Sequence, residues 1–141
     1  MEITTKYHGT VKYEEKDIIT FKKGLPGFEE LHEFISFPLE DNPCFRILQS
    51  NKESEIGLVT INPFDFISEY EVNLSNELQK ELSIEKPEDV LILNTVTLNS
   101  DIKKITTNLK APIIININKR LGEQIILDNE KYGIKHPLIR E

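Results

Sequence analysis

A chain of 141 residues that is 38% hydrophobic and 29% charged has room for one hydrophobic core and too much apolar content for disorder. Its net charge of −7 disfavours direct nucleic-acid binding, and its single cysteine, Cys44, excludes an internal disulfide framework. No apolar run approaches the ~20 residues of a membrane helix, and "MEITTKYHGT" lacks the basic-then-apolar order of a signal peptide, so a cytoplasmic chain is expected.

In chain order, "DIITF" (Asp17 to Phe21) is a short β-branched strand candidate. "FRILQS" (Phe45 to Ser50) alternates in strand fashion, and "GLVTI" (Gly57 to Ile61) follows as an apolar run. "SNELQKELS" is the one helix candidate, with Ser75 as its N-cap and Leu74, Leu78 and Leu82 as its apolar stripe. Pro87 to Asp89 reads as a turn into the longest strand, "DVLILNTVTL" (Asp89 to Leu98). There Val90, Ile92, Val96 and Leu98 share one face, and Leu91 and Leu93 the other, before it turns polar at Thr95 and Thr97. This predicts a strand covered on both faces at its start and on one at its end. "PIIINI" (Pro112 to Ile117) and "EQIILD" (Glu123 to Asp128) pair across "NKRLG", whose Gly122 suits a bulged hairpin loop. Short strands, many turns and one helix predict a mostly β, single-domain, barrel-like fold spanning residues 1–141.

"KGLPGFEE" (Lys23 to Glu30) raises the question of a phosphate-binding loop. Its chemistry is that of a turn. Leu25 precedes proline and is extended, Pro26 presets the second position of a type II turn, and Gly27 supplies the positive φ of the third. Gly24, Pro26 and Gly27 are therefore structural, with Phe28 and Leu31 expected to anchor the turn. Proline removes an N–H, no Gly-Lys-Ser/Thr follows, and Glu29 and Glu30 would repel phosphate.

No reaction centre emerges. His8, His32 and His136 are scattered without metal-ligand spacing, and no dinucleotide fingerprint or Ser-His-Asp order is present. Cys44 has acidic neighbours, Glu40 and Asp41, which disfavour a thiolate, and it is expected as a small, half-buried side chain at a strand start. No catalytic, metal or cofactor residue is assigned.

Charge is unevenly placed. Residues 1–28 carry five basic and four acidic side chains, residues 29–89 four and fifteen, and residues 90–141 eight and five. The negative field thus comes from the middle of the chain, either as a solvated face or as a surface aimed at a basic partner. "NPFDFISEY" (Asn62 to Tyr70) lies in that middle. Its aromatics can seal one end of the barrel, or, rimmed by acid, form a recognition patch. The second reading makes Phe64, Asp65, Glu69, Tyr70 and Glu71 partner-binding candidates.

Five stretches together resemble the FliW family of flagellar assembly factors: "GLPGFEE" (Gly24 to Glu30), "LQS" (Leu48 to Ser50), "NPFDFISEY", "NLKAPIIIN" (Asn108 to Asn116) and "QIILDNEKYGIKHPL" (Gln124 to Leu138). The resemblance spans nearly the whole chain. It implies a small barrel-like β fold and a non-enzymatic role: binding the carbon-storage regulator CsrA, an RNA-binding dimer that represses flagellin mRNA, and binding flagellin itself. On that reading, acidic side chains beside the partner's RNA site would repel incoming phosphates. Reversing charges among Glu69, Glu71, Glu77 and Glu81 should then weaken RNA exclusion more than docking. A small β-barrel could instead hold a cofactor such as FMN. The lack of a basic phosphate-binding cluster beside a glycine turn argues against that alternative.

Overall fold

The computed structural model describes residues 1–6, 8–40, 42–67 and 69–138. In chain order the strands are β1 (Glu2–Thr5), β2 (Gly9–Lys12), β3 (Ile19–Thr20), β4 (Glu33–Leu39), β5 (Asn42–Ser50) and β6 (Gly57–Ile61). After the single α-helix, α1 (Asn76–Glu81), come β7 (Val90–Thr97), β8 (Thr106–Thr107), β9 (Ile113–Asn116), β10 (Leu121–Gln124) and β11 (His136–Pro137).

β7 closes the architecture because it serves two neighbours along its length. Its first half pairs with β9 (Val90↔Asn116 to Leu93↔Ile113), and Asn94 and Thr95 then pair with Ile61 and Thr60 of β6. The order β7-β6-β5-β4-β3-β10-β9 returns to β7, a ring of strands, with β8 paired to Val96 and Thr97 at the end of β7 and β11 paired to β8. The ring is less regular than a barrel. β3 and β10 touch through one parallel pair, Leu121↔Thr20, and β4 slips register between Pro38 and Leu39.

Inside the ring lie Ile19, Phe21, Leu25, Phe34, Leu48, Leu93, Ile113 and Ile115. Ile114 points the other way and meets Leu78 and Leu82 of the helical segment, so β9 is buried on both faces. α1 forms as its sequence predicts: Ser75 Oγ accepts from the Leu78 N–H at 3.1 Å, and the leucine stripe packs on the ring. At six residues it is held by that packing rather than by propensity.

The Leu25–Phe28 turn also forms as predicted, with Gly27 at φ +87° and the Phe28 N–H donating to the Leu25 carbonyl at 2.7 Å. Its main anchor is Leu25, fully buried, while Phe28 is half-buried.

The structure adds strands for which the sequence raised no expectation, among them the N-terminal hairpin β1–β2 and β4, and corrects several expectations. In β4 both Phe34 and Ile35 are buried and Pro38 interrupts the pattern, so neither period stands out. Only Ile19 and Thr20 of "DIITF" pair as strand. β10 starts earlier than "EQIILD" suggests, at Leu121, and the tight turn before it is made by residues 117–120. Arg120, at φ +56°, is its left-handed residue. Gly122 is not a loop glycine. It pairs with Ile115, and a Cβ there would lie 2.5 Å from the Phe21 ring, so the missing side chain makes room for the core. Leu98 falls beyond β7 and is 55% exposed. Cys44 is exposed rather than half-buried, because β5 begins at Asn42 and its first residues extend past the core.

A candidate partner-binding surface

The segment after β6 turns sharply because Asn62 caps it. The Asn62 Oδ1 accepts from the Phe64 N–H at 3.0 Å, and buried Pro63 opens a single 3-10 turn ending at Asp65. This lifts Phe64 and Phe66 outward, 48% and 39% exposed, with Asp65 beside them. Ser68 lies outside the described residues.

Tyr70 does not belong to the exposed patch; it is 4% exposed. Its hydroxyl donates to the Leu109 carbonyl and accepts from Asn94 Nδ2 at 3.1 Å, and its ring meets Tyr132 edge-on at 4.8 Å. A phenol with both polar partners waiting inside is drawn inward, so it props the segment rather than presenting it. Tyr132 completes the clamp. Its hydroxyl accepts from the Glu71 N–H at 2.8 Å and donates to the Glu69 carbonyl at 3.4 Å, leaving both carboxylates exposed. Asn94 thus finds its reason: it interrupts the apolar face of β7 to hold Tyr70 and the Asn108 carbonyl.

Burial pushes the Tyr70 phenol up to about 12. Its folded pKa lies above the unfolded value near 10, so the stability it adds is complete below about pH 10 and is lost as pH rises toward 12. An alkaline titration followed by ultraviolet absorbance should find a phenol ionising near the upper value, with the melting temperature falling over the same window. Ionisation of every tyrosine near pH 10 in the folded protein would contradict this.

The structure divides the acidic candidates. Glu71, Glu77 and Glu81 line one groove of about 540 Å³, joined there by Glu123 and Asp128 from the far end of the chain. Lys23 spans it, with Nζ 3.4 Å from Glu81 and 3.3 Å from Glu123. Hydrogen bonding and charge from Glu123, then from Glu81, raise the lysine pKa. Burial lifts the Glu123 carboxyl above its usual range against the opposing pull of Lys23. Glu69 faces a different hollow, beside Phe66, Lys131 and Tyr132. Phe64 borders a third groove of about 560 Å³, of mixed polarity, with Val72, Leu74, Ile92, Glu85 and Lys86, and Asn73 lines both this groove and the acidic one. Sequence reasoning missed Lys23, Glu123 and Asp128, because only the closing of β10 onto the ring brings them to α1. The one signal was that "EQIILD" begins and ends in acid.

Among the described residues, no group of three or more His, Cys, Asp or Glu side chains is placed to hold a metal ion, and no helix is long and apolar enough to cross a membrane.

A closed ring of strands backed by one short helix defines a small, mostly β, single domain. The chain belongs to the FliW family, which it matches over residues 2–138. It is 54% identical over 141 residues to the flagellar assembly factor FliW of Clostridium botulinum (strain Okra / Type B1), covering 100% of this chain and 99% of the relative. With the Clostridium tetani (strain Massachusetts / E88) factor it shares 57% identity, covering 100% and 97%. A crystal structure of the flagellar assembly factor FliW superposes with a TM-score of 0.94 at 41% identity, over 100% of this chain and 99% of that one. The chain is a flagellar assembly factor by family, with the fold that its resemblance implied.

Proposed function

We propose that this factor acts by contact alone, binding the translational regulator CsrA in the cytoplasm and preventing its repression of flagellin mRNA, and exchanging that partner for flagellin. Family membership supports the partners. The observation that carries the mechanism is the gathering of carboxylates from distant segments along one groove, with Asp65 and Glu69 exposed outside it. The groove charges serve docking onto a basic protein. Asp65 and Glu69, flanking exposed Phe64 and Phe66, serve to repel RNA at the rim. With a screening length of about 8 Å at physiological salt, they act only on phosphates that approach closely.

Mixing the purified chain with CsrA and measuring complex formation tests the pairing, and failure to associate at micromolar concentrations rejects it. The double variant Asp65→Lys/Glu69→Lys should keep CsrA affinity within about threefold while RNA retained by the complex rises about tenfold, since rim charges tune selectivity more than affinity. Loss of docking and exclusion in proportion would reject the repulsive role. Flagellin titrated into the complex should release CsrA.

A further inference from the structure

The pairing of β9 and β10 does not stop where the regular strands end. Beyond Gln124↔Ile113, the Ile125 N–H donates to the Pro112 carbonyl at 3.0 Å and the Leu127 N–H to the Lys110 carbonyl at 2.7 Å, in the same register. Past the end of β10 at Gln124, residues 125–128 therefore run on in the strand register, held by N–H donation on one edge. The N–H groups of Ile125 and Leu127 point to the ring, so those of Ile126 and Asp128 point away from it. Among the described residues, nothing in the protein bonds the N–H of either. β3 covers this edge of β10 only at Leu121↔Thr20, so from there onward the edge is open.

An open edge is a template for another strand, and proteins usually blunt it with a covering element, a bulge or a proline. Among the described residues, Ile126–Asp128 has no proline, no bulge and no paired covering strand, and Asp128 is its one charge. The edge instead forms one wall of the acidic groove, with Glu71, Glu77 and Glu81 across from it. Side chains alternate. Ile125 turns toward the packed layer under α1 and Leu127 toward the Tyr70–Tyr132 cluster, whereas Ile126 points to the opposite face and is 71% exposed. One position in the groove is already filled from within: Lys23 places its ammonium between Glu81 of α1 and Glu123 of β10. The groove thus accepts a lysine at one end.

We propose that the open edge at Ile126–Asp128 takes up an extended segment of a partner protein in which basic and apolar residues alternate, added as a further strand. On the guest, side chains of one parity would face the carboxylates of the groove and those of the other would lie beside Ile126. Backbone hydrogen bonds supply affinity, and the alternation supplies selection. The inference rests on the preceding reading only for which protein carries the segment.

The test uses the full chain and a fluorescein-labelled synthetic peptide of alternating lysine and β-branched residues, followed by anisotropy. A saturable rise is expected. Binding should weaken at least about tenfold when alternate peptide amides on the pairing edge are N-methylated, and again when the lysines are replaced by glutamates. Ile126→Pro removes the outward N–H while leaving the inward bonds of Ile125 and Leu127, and should lower affinity similarly with the melting temperature retained. Equal binding of the methylated and unmethylated peptides, or no binding, overturns the proposal. If Ile126→Pro does not fold, the methylation comparison decides alone. A complex with CsrA in the same preparation separates the two readings. CsrA bound with the peptide ignored ends strand addition only, and peptide bound with CsrA ignored ends the choice of partner only.

Discussion

Replacing Gly24 by alanine should destabilise the protein by at least about 3 kcal/mol, from left-handed strain together with an unrelieved clash. Gly24 sits at φ +67°, and a Cβ there would lie 2.5 Å from the Glu29 carbonyl oxygen and 2.6 Å from the Glu29 Cα. Both are main-chain atoms of the turn that Leu25 anchors in the core, so neither can move aside cheaply. Gly27 is the control. Its φ of +87° is as demanding, yet nothing lies within 4 Å of its Cβ position. Gly27→Ala should therefore cost only about 1–2 kcal/mol of backbone strain. Denaturant melts of the two variants measure the difference, and equal penalties would mean that the close approach to Glu29 contributes nothing. The turn motif thus contains two glycines with different duties, one for conformation and one for conformation and room.

Asn116→Ala is expected to cost about 3 kcal/mol, the range for stripping partners from buried polar groups. Asn116 is fully buried. Its Nδ2 donates to the Leu82 and Ser83 carbonyls at 2.8 and 3.0 Å, and its Oδ1 accepts from the Asn118 and Lys119 N–H groups at 3.0 and 3.1 Å. One side chain therefore ties the end of α1 to the turn between β9 and β10. Alanine leaves those carbonyls without a donor beside a left-handed residue, Ser83 at φ +55°. Hydrogen exchange should accelerate in α1 more than in β5 or β6, with a melting temperature about 10 °C lower. Uniform acceleration would mean that Asn116 supports the ring as a whole and does not specifically dock the helix. Because α1 carries Glu77 and Glu81, this variant also checks whether the groove depends on a fixed helix.

The elements that could be read from the chain are those whose signal is local. The Ser75 cap, the leucine stripe, the type II turn and the two-faced start of β7 each follow from a few adjacent side chains, and each formed where expected. β4 could not be read, because a strand buried on both faces with a proline near its end has no period to detect. Gly122 was misassigned for a related reason. Its role is set by Phe21, which lies far away in sequence and beside it only in the ring. The surface divides in the same manner. Acid in the middle of the chain was visible, and so were the exposed aromatics Phe64 and Phe66. The inward course of Tyr70 depends on Leu109, Asn94 and Tyr132, three partners from separate segments that no window around Tyr70 contains.

The closure of the ring carries a consequence for synthesis. Thr20 waits for Leu121, and the first half of β7 waits for β9, so a nascent chain exposes two unmatched edges until almost all of it has left the ribosome. Such long-range closure slows folding and leaves little partly folded structure worth keeping. A factor made this way is either complete or unusable, and chains truncated before Ile113 should be cleared by proteases rather than persist as incomplete competitors.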